Sequence, residues 1–110
     1  MAKIGQLVMN KGEWNGQFVV SASWIEDSLE PRHKARGGLS YGYQWWLGAS
    51  DIGGKSFDWI AARGRGGQRI FIVPHLDLVV AITAGMYSSP RREFVAEGIL
   101  EEFVLASVLD

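Results

Sequence analysis

Residues 64–84 read Gly64-Arg65-Gly66-Gly67-Gln68-Arg69-Ile70-Phe71-Ile72-Val73-Pro74-His75-Leu76-Asp77-Leu78-Val79-Val80-Ala81-Ile82-Thr83-Ala84. Two runs of β-branched and aromatic residues, Arg69–Val73 and Leu78–Ala84, flank the four residues Pro74 to Asp77. A parallel crossover needs a dozen residues or more, so this short connection implies an antiparallel hairpin. The Gly-rich run ahead of it, Gly64-Arg65-Gly66-Gly67, leads into a strand. A phosphate-binding loop leads into a helix, so a nucleotide site is excluded, and the run reads as a turn or bulge where backbone makes a close approach.

Working outward, Tyr43–Leu47 and Phe57–Ala62 have the same aromatic and β-branched texture between Gly and Asp, and are expected to be further strands. Adjacent strand residues face opposite ways, so of Trp45 and Trp46 at most one can line a given site while the other packs under a helix. Ser89-Pro90 marks a helix start. In that final helix Val95, Ile99, Phe103 and Ala106 form one apolar stripe, with Glu93, Glu97 and Glu101 mostly facing elsewhere. At the other end, Ile4, Leu7 and Val8 predict a helix from about Ala2 to Lys11, stopped at Gly12. Asn15-Gly16 predicts a tight turn before the short extended run Phe18–Val20. Ser23 and Glu26 have the spacing of a capping box for a second helix, Trp24 to Leu29, limited by Pro31. Arg32 to Ser40 reads as an exposed loop. The fold class expected is α+β: an antiparallel sheet of three to four strands packed against N-terminal and C-terminal helices, with residues 1–110 forming one domain.

Bulk properties fit a folded globular chain, with 47% hydrophobic and 21% charged residues. Eleven Lys and Arg against twelve Asp and Glu give a formal charge of -1, which offers no broad field for nucleic acid. The two Arg-Gly-Gly runs, at Arg36 and at Arg65, are read as turns. There is no cysteine, so thiol chemistry and disulfides are out. No stretch reaches the ~20 apolar residues of a membrane span, and the start shows no export signal, so a soluble chain of unassigned compartment is expected.

Side chains for other chemistry are sparse. The two histidines, His33 in the expected loop and His75 in the hairpin turn, have no partners at metal-ligand spacing, and nothing points to a metal or cofactor. Asp58 and Glu93 are carboxylates that could act as general acids, but no second carboxylate is paired with either by spacing. The five tryptophans are mostly core candidates.

Four stretches taken in order carry a resemblance. They are Ile4-Gly5-Gln6-Leu7 through Trp14-Asn15-Gly16; Val20-Ser21 to Trp24; Tyr41-Gly42-Tyr43-Gln44-Trp45-Trp46; and Gly64 through Pro74 with Leu78-Val79-Val80 and Gly85. Together they resemble the C-terminal part of the serine β-lactamase-like hydrolases, the broad group of class C β-lactamases, D-alanyl-D-alanine peptidases, esterases and 6-aminohexanoate-dimer hydrolase. The resemblance implies that the strand edge leading into the Gly-rich segment walls an active site. It also implies that the backbone amide near Gly64 and Arg65 supplies half of an oxyanion hole, and that Arg63 stands where a Lys or His would bind a substrate carboxylate.

The group's nucleophile lies in Ser-x-x-Lys, where the lysine one helical turn on takes the hydroxyl proton. No serine of this chain has lysine at that distance; Ser21, Ser23, Ser40 and Ser56, for example, are followed there by Trp24, Glu26, Tyr43 and Trp59. The one formal match to the Tyr-x-Ser element, Tyr87-Ser88-Ser89, follows the last strand and is read as chance. The expectation is therefore a hydrolase fragment without catalysis of its own, or a non-catalytic binding or assembly module on the same scaffold. Its expected partners are a second copy of itself or the missing N-terminal portion of the hydrolase.

Overall fold

The computed structural model describes residues 1–90 and 94–109. Its centre is a six-stranded antiparallel sheet in which the strands lie side by side in chain order. These are β3 (His33–Lys34), β4 (Ser40–Tyr41), β5 (Trp46–Ile52), β6 (Lys55–Gly64), β7 (Gln68–Val73) and β8 (Leu78–Ile82). The hairpin expected at Pro74–Asp77 is present: a single 3-10 turn, Pro74–Leu76, leads to Asp77 at φ 51°, and Val73 then pairs with Leu78.

Two-residue alternation sends each strand's side chains into two separate cores. Phe57, Trp59 and Ala61 of β6 and Phe71 and Val73 of β7 face one side, where they meet Ala96, Leu100 and Leu105 of the C-terminal helix. Ile60 and Ala62 of β6, Ile70 and Ile72 of β7 and Val79 of β8 face the other, packing on Val8 and Ile25. Those two residues belong to α1 (Ala2–Met9) and α2 (Ala22–Ser28). β7 is thus apolar on both faces, which is why it reads as an unbroken hydrophobic run rather than an alternating one. Trp45 and Trp46 divide as expected, Trp45 toward the helices α1 and α2 and Trp46 toward the C-terminal helix.

The α+β class and the packing of helices from both ends of the chain on an antiparallel sheet agree with the sequence reading; several particulars do not. The sheet has six strands rather than three to four, and β1 (Glu13–Trp14) and β2 (Gln17–Phe18) form a separate hairpin around Asn15-Gly16. β5 starts three residues later than expected and runs on to Ile52, because Gln44, at φ 67°, breaks the extended run. The stretch Arg32 to Ser40 is not simply a loop: His33–Lys34 pairs with Ser40–Tyr41 around a turn in which Gly37 and Gly38 both have positive φ. Helix α1 ends at Met9, and one further turn carries the chain to Gly12, whose N–H reaches the Leu7 carbonyl. Helix α2 is capped by Ser21 rather than Ser23, the Ser21 hydroxyl accepting from the Trp24 N–H at 3.2 Å.

The C-terminal helix seats on a different stripe from the one expected. It comprises α3 (Val95–Ile99), a wider π-type segment Leu100–Leu105, and α4 (Ala106–Val108). Its fully buried residues are Ala96, Leu100 and Leu105, whereas Phe103 is 67% exposed. The step of five from Leu100 to Leu105 is what a π turn produces, and it keeps both leucines on the sheet where a regular helix would carry the second one away. Glu93 and residues 91 and 92 lie outside the described residues, so the described helix begins after the expected start at Ser89-Pro90. Among the described residues no helix is long and apolar enough to cross a membrane.

Candidate functional site

Strand β6 is longer than the strand beside it. The β5 register begins with Trp46 opposite Ala61, so the last three residues of β6, Ala62 to Gly64, run past the start of β5. On their other side they stay paired with β7, ending at Gly64 opposite Gln68. Among the described residues no strand covers that stretch of β6 on the β5 side. The sheet therefore presents a short open edge that leads directly into the Gly-rich turn Arg65-Gly66-Gly67.

The turn is held from two directions. Gly66 and Gly67 take φ of 90° and 101°, a region closed to most side chains, and a Cβ at Gly66 would lie 2.7 Å from the Tyr87 ring. The Gly66 carbonyl accepts from the Met86 N–H at 3.0 Å. The Gln68 side-chain amide donates to the Ala84 carbonyl and accepts from the Ala84 N–H, adding one rung beyond the end of β8.

The second support comes from beneath. Arg69, 3% exposed, donates from one guanidinium nitrogen to the carbonyls of Gly64 (3.1 Å) and Gln68 (2.9 Å), bridging the two strands at the base of the turn. Its Nε donates to Glu97 Oε1 of the C-terminal helix at 2.9 Å. Arg69 was not singled out in the sequence. The signal was available, since period two places it on the face of Phe71 and Val73, where a cation needs a buried partner.

Of the residues singled out beforehand, Gly64 closes β6, and Arg65 is exposed at the start of the turn. Arg63 is 17% exposed in its side chain, with its guanidinium carbon 4.9 Å from the Trp46 ring centroid and its Nε 3.7 Å from Glu97 Oε1. Arg63 and Arg69 thus converge on one carboxylate oxygen, while Glu97 Oε2 is buried without a hydrogen-bond partner. His33 lies on the edge strand β3 and His75 in the β7–β8 turn, both exposed, and among the described residues no three His, Asp or Glu side chains are grouped to hold a metal. Asp58 is exposed on β6, opposite Ala49.

This architecture, an antiparallel sheet between helices with a Gly-rich turn at one strand end, is that of part of the β-lactamase-like fold. Among solved structures the chain is similar to a candidate 6-aminohexanoate-dimer hydrolase from Bacillus anthracis, with a TM-score of 0.70 and 21% identity. The match takes in 97% of this chain and 27% of that one, so the chain spans about a quarter of the length of the protein it matches. No protein-family description matches the sequence, and no curated protein matches it.

Proposed function

We propose that this chain is the sheet-bearing C-terminal part of a β-lactamase-like serine hydrolase. In this reading it contributes one oxyanion donor, and the nucleophile and its base come from a segment outside these residues. The observation that carries the reading is the open end of β6 beside the Gly-rich turn. Arg69 takes the Gly64 carbonyl on the side of the sheet facing the C-terminal helix. A trans peptide points its N–H opposite to its C=O, and no peptide bond among the described residues is cis. The Arg65 N–H is therefore directed away from Arg69, and in this reading it is the oxyanion donor to a substrate held by another segment. Arg63 is the cation this reading assigns to a substrate carboxylate, and reaching one requires exchanging its contact with Glu97.

Acyl transfer needs nucleophile, base and oxyanion donors together, and without the first two only weak assistance remains. The 110-residue chain incubated with a fluorophosphonate, an activated ester and a penicillin is expected to keep its intact mass. A covalent serine adduct, or steady ester turnover that follows the protein through purification, refutes the proposal.

Exposed Phe18, Val19 and Trp24, together with the outer edge of β8, which no strand covers among the described residues, favour a second reading, a non-catalytic assembly module. Under either reading these surfaces are covered in use, by a second copy or by the N-terminal portion of the hydrolase. Sedimentation at micromolar concentration separates the two: a dimer of this chain alone supports the assembly module, and a clean monomer supports the incomplete hydrolase.

A further inference from the structure

The two outer strands of the six-stranded sheet are finished differently. At one end β3 is two residues long, both exposed, and carries Lys34, features that discourage a further strand from adding to an edge. At the other end β8 has five residues, Leu78 to Ile82, with neither charge nor proline, and no strand covers its outer edge among the described residues. Its burial is correspondingly incomplete. Every residue of β7 from Arg69 to Val73 is buried, whereas in β8 Leu78, Val79, Val80 and Ile82 are half-buried and Ala81 is exposed.

That shortfall lies on both faces of the sheet. Leu78, Val80 and Ile82 flank the cluster under the C-terminal helix, and Val79 flanks the cluster under α1 and α2. A strand that completes both must itself be apolar on both faces, and β8 meets that requirement. Pairing two copies antiparallel about a two-fold axis at Val80 sets Leu78 against Ile82, Val79 against Ala81 and Val80 against itself, so apolar groups meet on each face. A shift of one residue would put the two faces out of step, and a shift of two would leave fewer of the strand residues paired. In this register Asp77, the carboxylate beside the strand, falls opposite Thr83, so no like charges are opposed.

We propose that the outer edge of β8 pairs with β8 of a second copy, joining the two sheets into one. The inference rests on the assembly reading above and gives it an edge, a register and a partner. One strand pair buries less than the roughly 1,200–2,000 Å² of a stable interface, so the dimer is expected to dissociate at roughly tens of micromolar.

The chain has no cysteine, so V80C supplies the only thiol. In the paired state the two Cα atoms at this position lie about 4.5–5.5 Å apart, within disulfide reach. Mild oxidation should convert V80C to a covalent dimer while K34C, on the edge strand β3, stays monomeric at the same concentration. A81K changes a residue that is exposed in the single chain, so the fold is retained, and sets an ammonium group against Val79 of the second copy. It is expected to raise the dimer dissociation constant at least about tenfold, read by sedimentation equilibrium between about 5 and 500 µM. A wild-type chain that stays monomeric across that range overturns the proposal and the assembly reading with it, and leaves the edge to the N-terminal portion of the hydrolase. A dimer that A81K does not weaken, or in which V80C does not crosslink, overturns the proposal alone and moves the contact to the surface of Phe18, Val19 and Trp24.

Discussion

Leu100 and Phe103 stand three positions apart on the C-terminal helix, and truncating each to alanine separates the two ways that helix could seat. Leu100 is fully buried in the cluster with Phe57, Trp59 and Phe71. Leu→Ala at such a site loses transfer energy and leaves a cavity, about 2.7–5 kcal/mol together. Taking about 3 kcal/mol and a urea dependence near 1.5 kcal/mol/M, the unfolding midpoint of L100A falls by about 2 M. Phe103 is 67% exposed and F103A should stay within about 0.5 kcal/mol of the parent, despite the larger side chain removed. Urea titrations followed by tryptophan fluorescence and by far-ultraviolet circular dichroism give both values on the same chain. A cost for F103A equal to that of L100A would mean that the helix rests on Val95, Ile99 and Phe103, and the π turn with its five-residue step would then be wrong.

Two glycines give opposite expectations for one substitution. At Gly5 an added Cβ lies 2.6 Å from Val79 Cγ1 and 2.8 Å from Ile70 Cγ2, so overpacking of about 1–3 kcal/mol outweighs the ~1 kcal/mol helix preference for alanine, and G5A should lower Tm. At Gly98 nothing lies within 4 Å, and G98A should raise stability by up to about 1 kcal/mol. S21A should cost about 1 kcal/mol through loss of the α2 cap, while S23A leaves the Trp24 N–H its acceptor and should cost little, both read by urea titration. R69M removes the nearer partner of Glu97 and the donor to the Gly64 and Gln68 carbonyls, leaving Glu97 with Arg63 at 3.7 Å, and should cost about 3 kcal/mol. Adding E97L removes the carboxylate left with its more distant partner and should recover part of that loss, so a double variant less stable than R69M would count against the Arg69–Glu97 pair as the cause.

The strands that sequence located best were those whose signal is their own composition. β7 and the β8 hairpin are apolar runs joined by a turn with Pro and Asp, and both elements are where the pattern places them. β5 was placed early and cut short because Gly48, Ala49, Ser50 and Asp51 look like turn residues. Ser50 is buried there through bonds to Trp59 and Glu101, partners that sequence distance hides. β3 and β4 are two-residue strands, too short for any alternation to register. The C-terminal helix has two adjacent apolar stripes, and periodicity alone cannot choose between them; the sheet selects the one with small Ala96, which lets the backbone come close. At the candidate site the Gly-rich turn was legible from glycine spacing, whereas the groups that fix it, Arg69, Gln68 and Tyr87, act through contacts that exist only once the hairpin has closed.

Those contacts also assign a role to the C-terminal helix that its sequence does not suggest. Glu97 holds Arg69, and Arg69 holds the carbonyls on either side of the Gly-rich turn, so the orientation of the Gly64–Arg65 peptide depends on a helix on the far face of the sheet. Under the reading proposed above this peptide is an oxyanion donor, and such a donor works only if its direction is set before charge develops, because a peptide free to rotate would spend interaction energy on its own reorientation. Buried cations are expensive, and an apolar pair would often hold the helix as well or better. Placing the guanidinium at this point therefore makes sense chiefly as a means of fixing the turn. This accounts for two arginines converging on one carboxylate oxygen, where one would neutralise it.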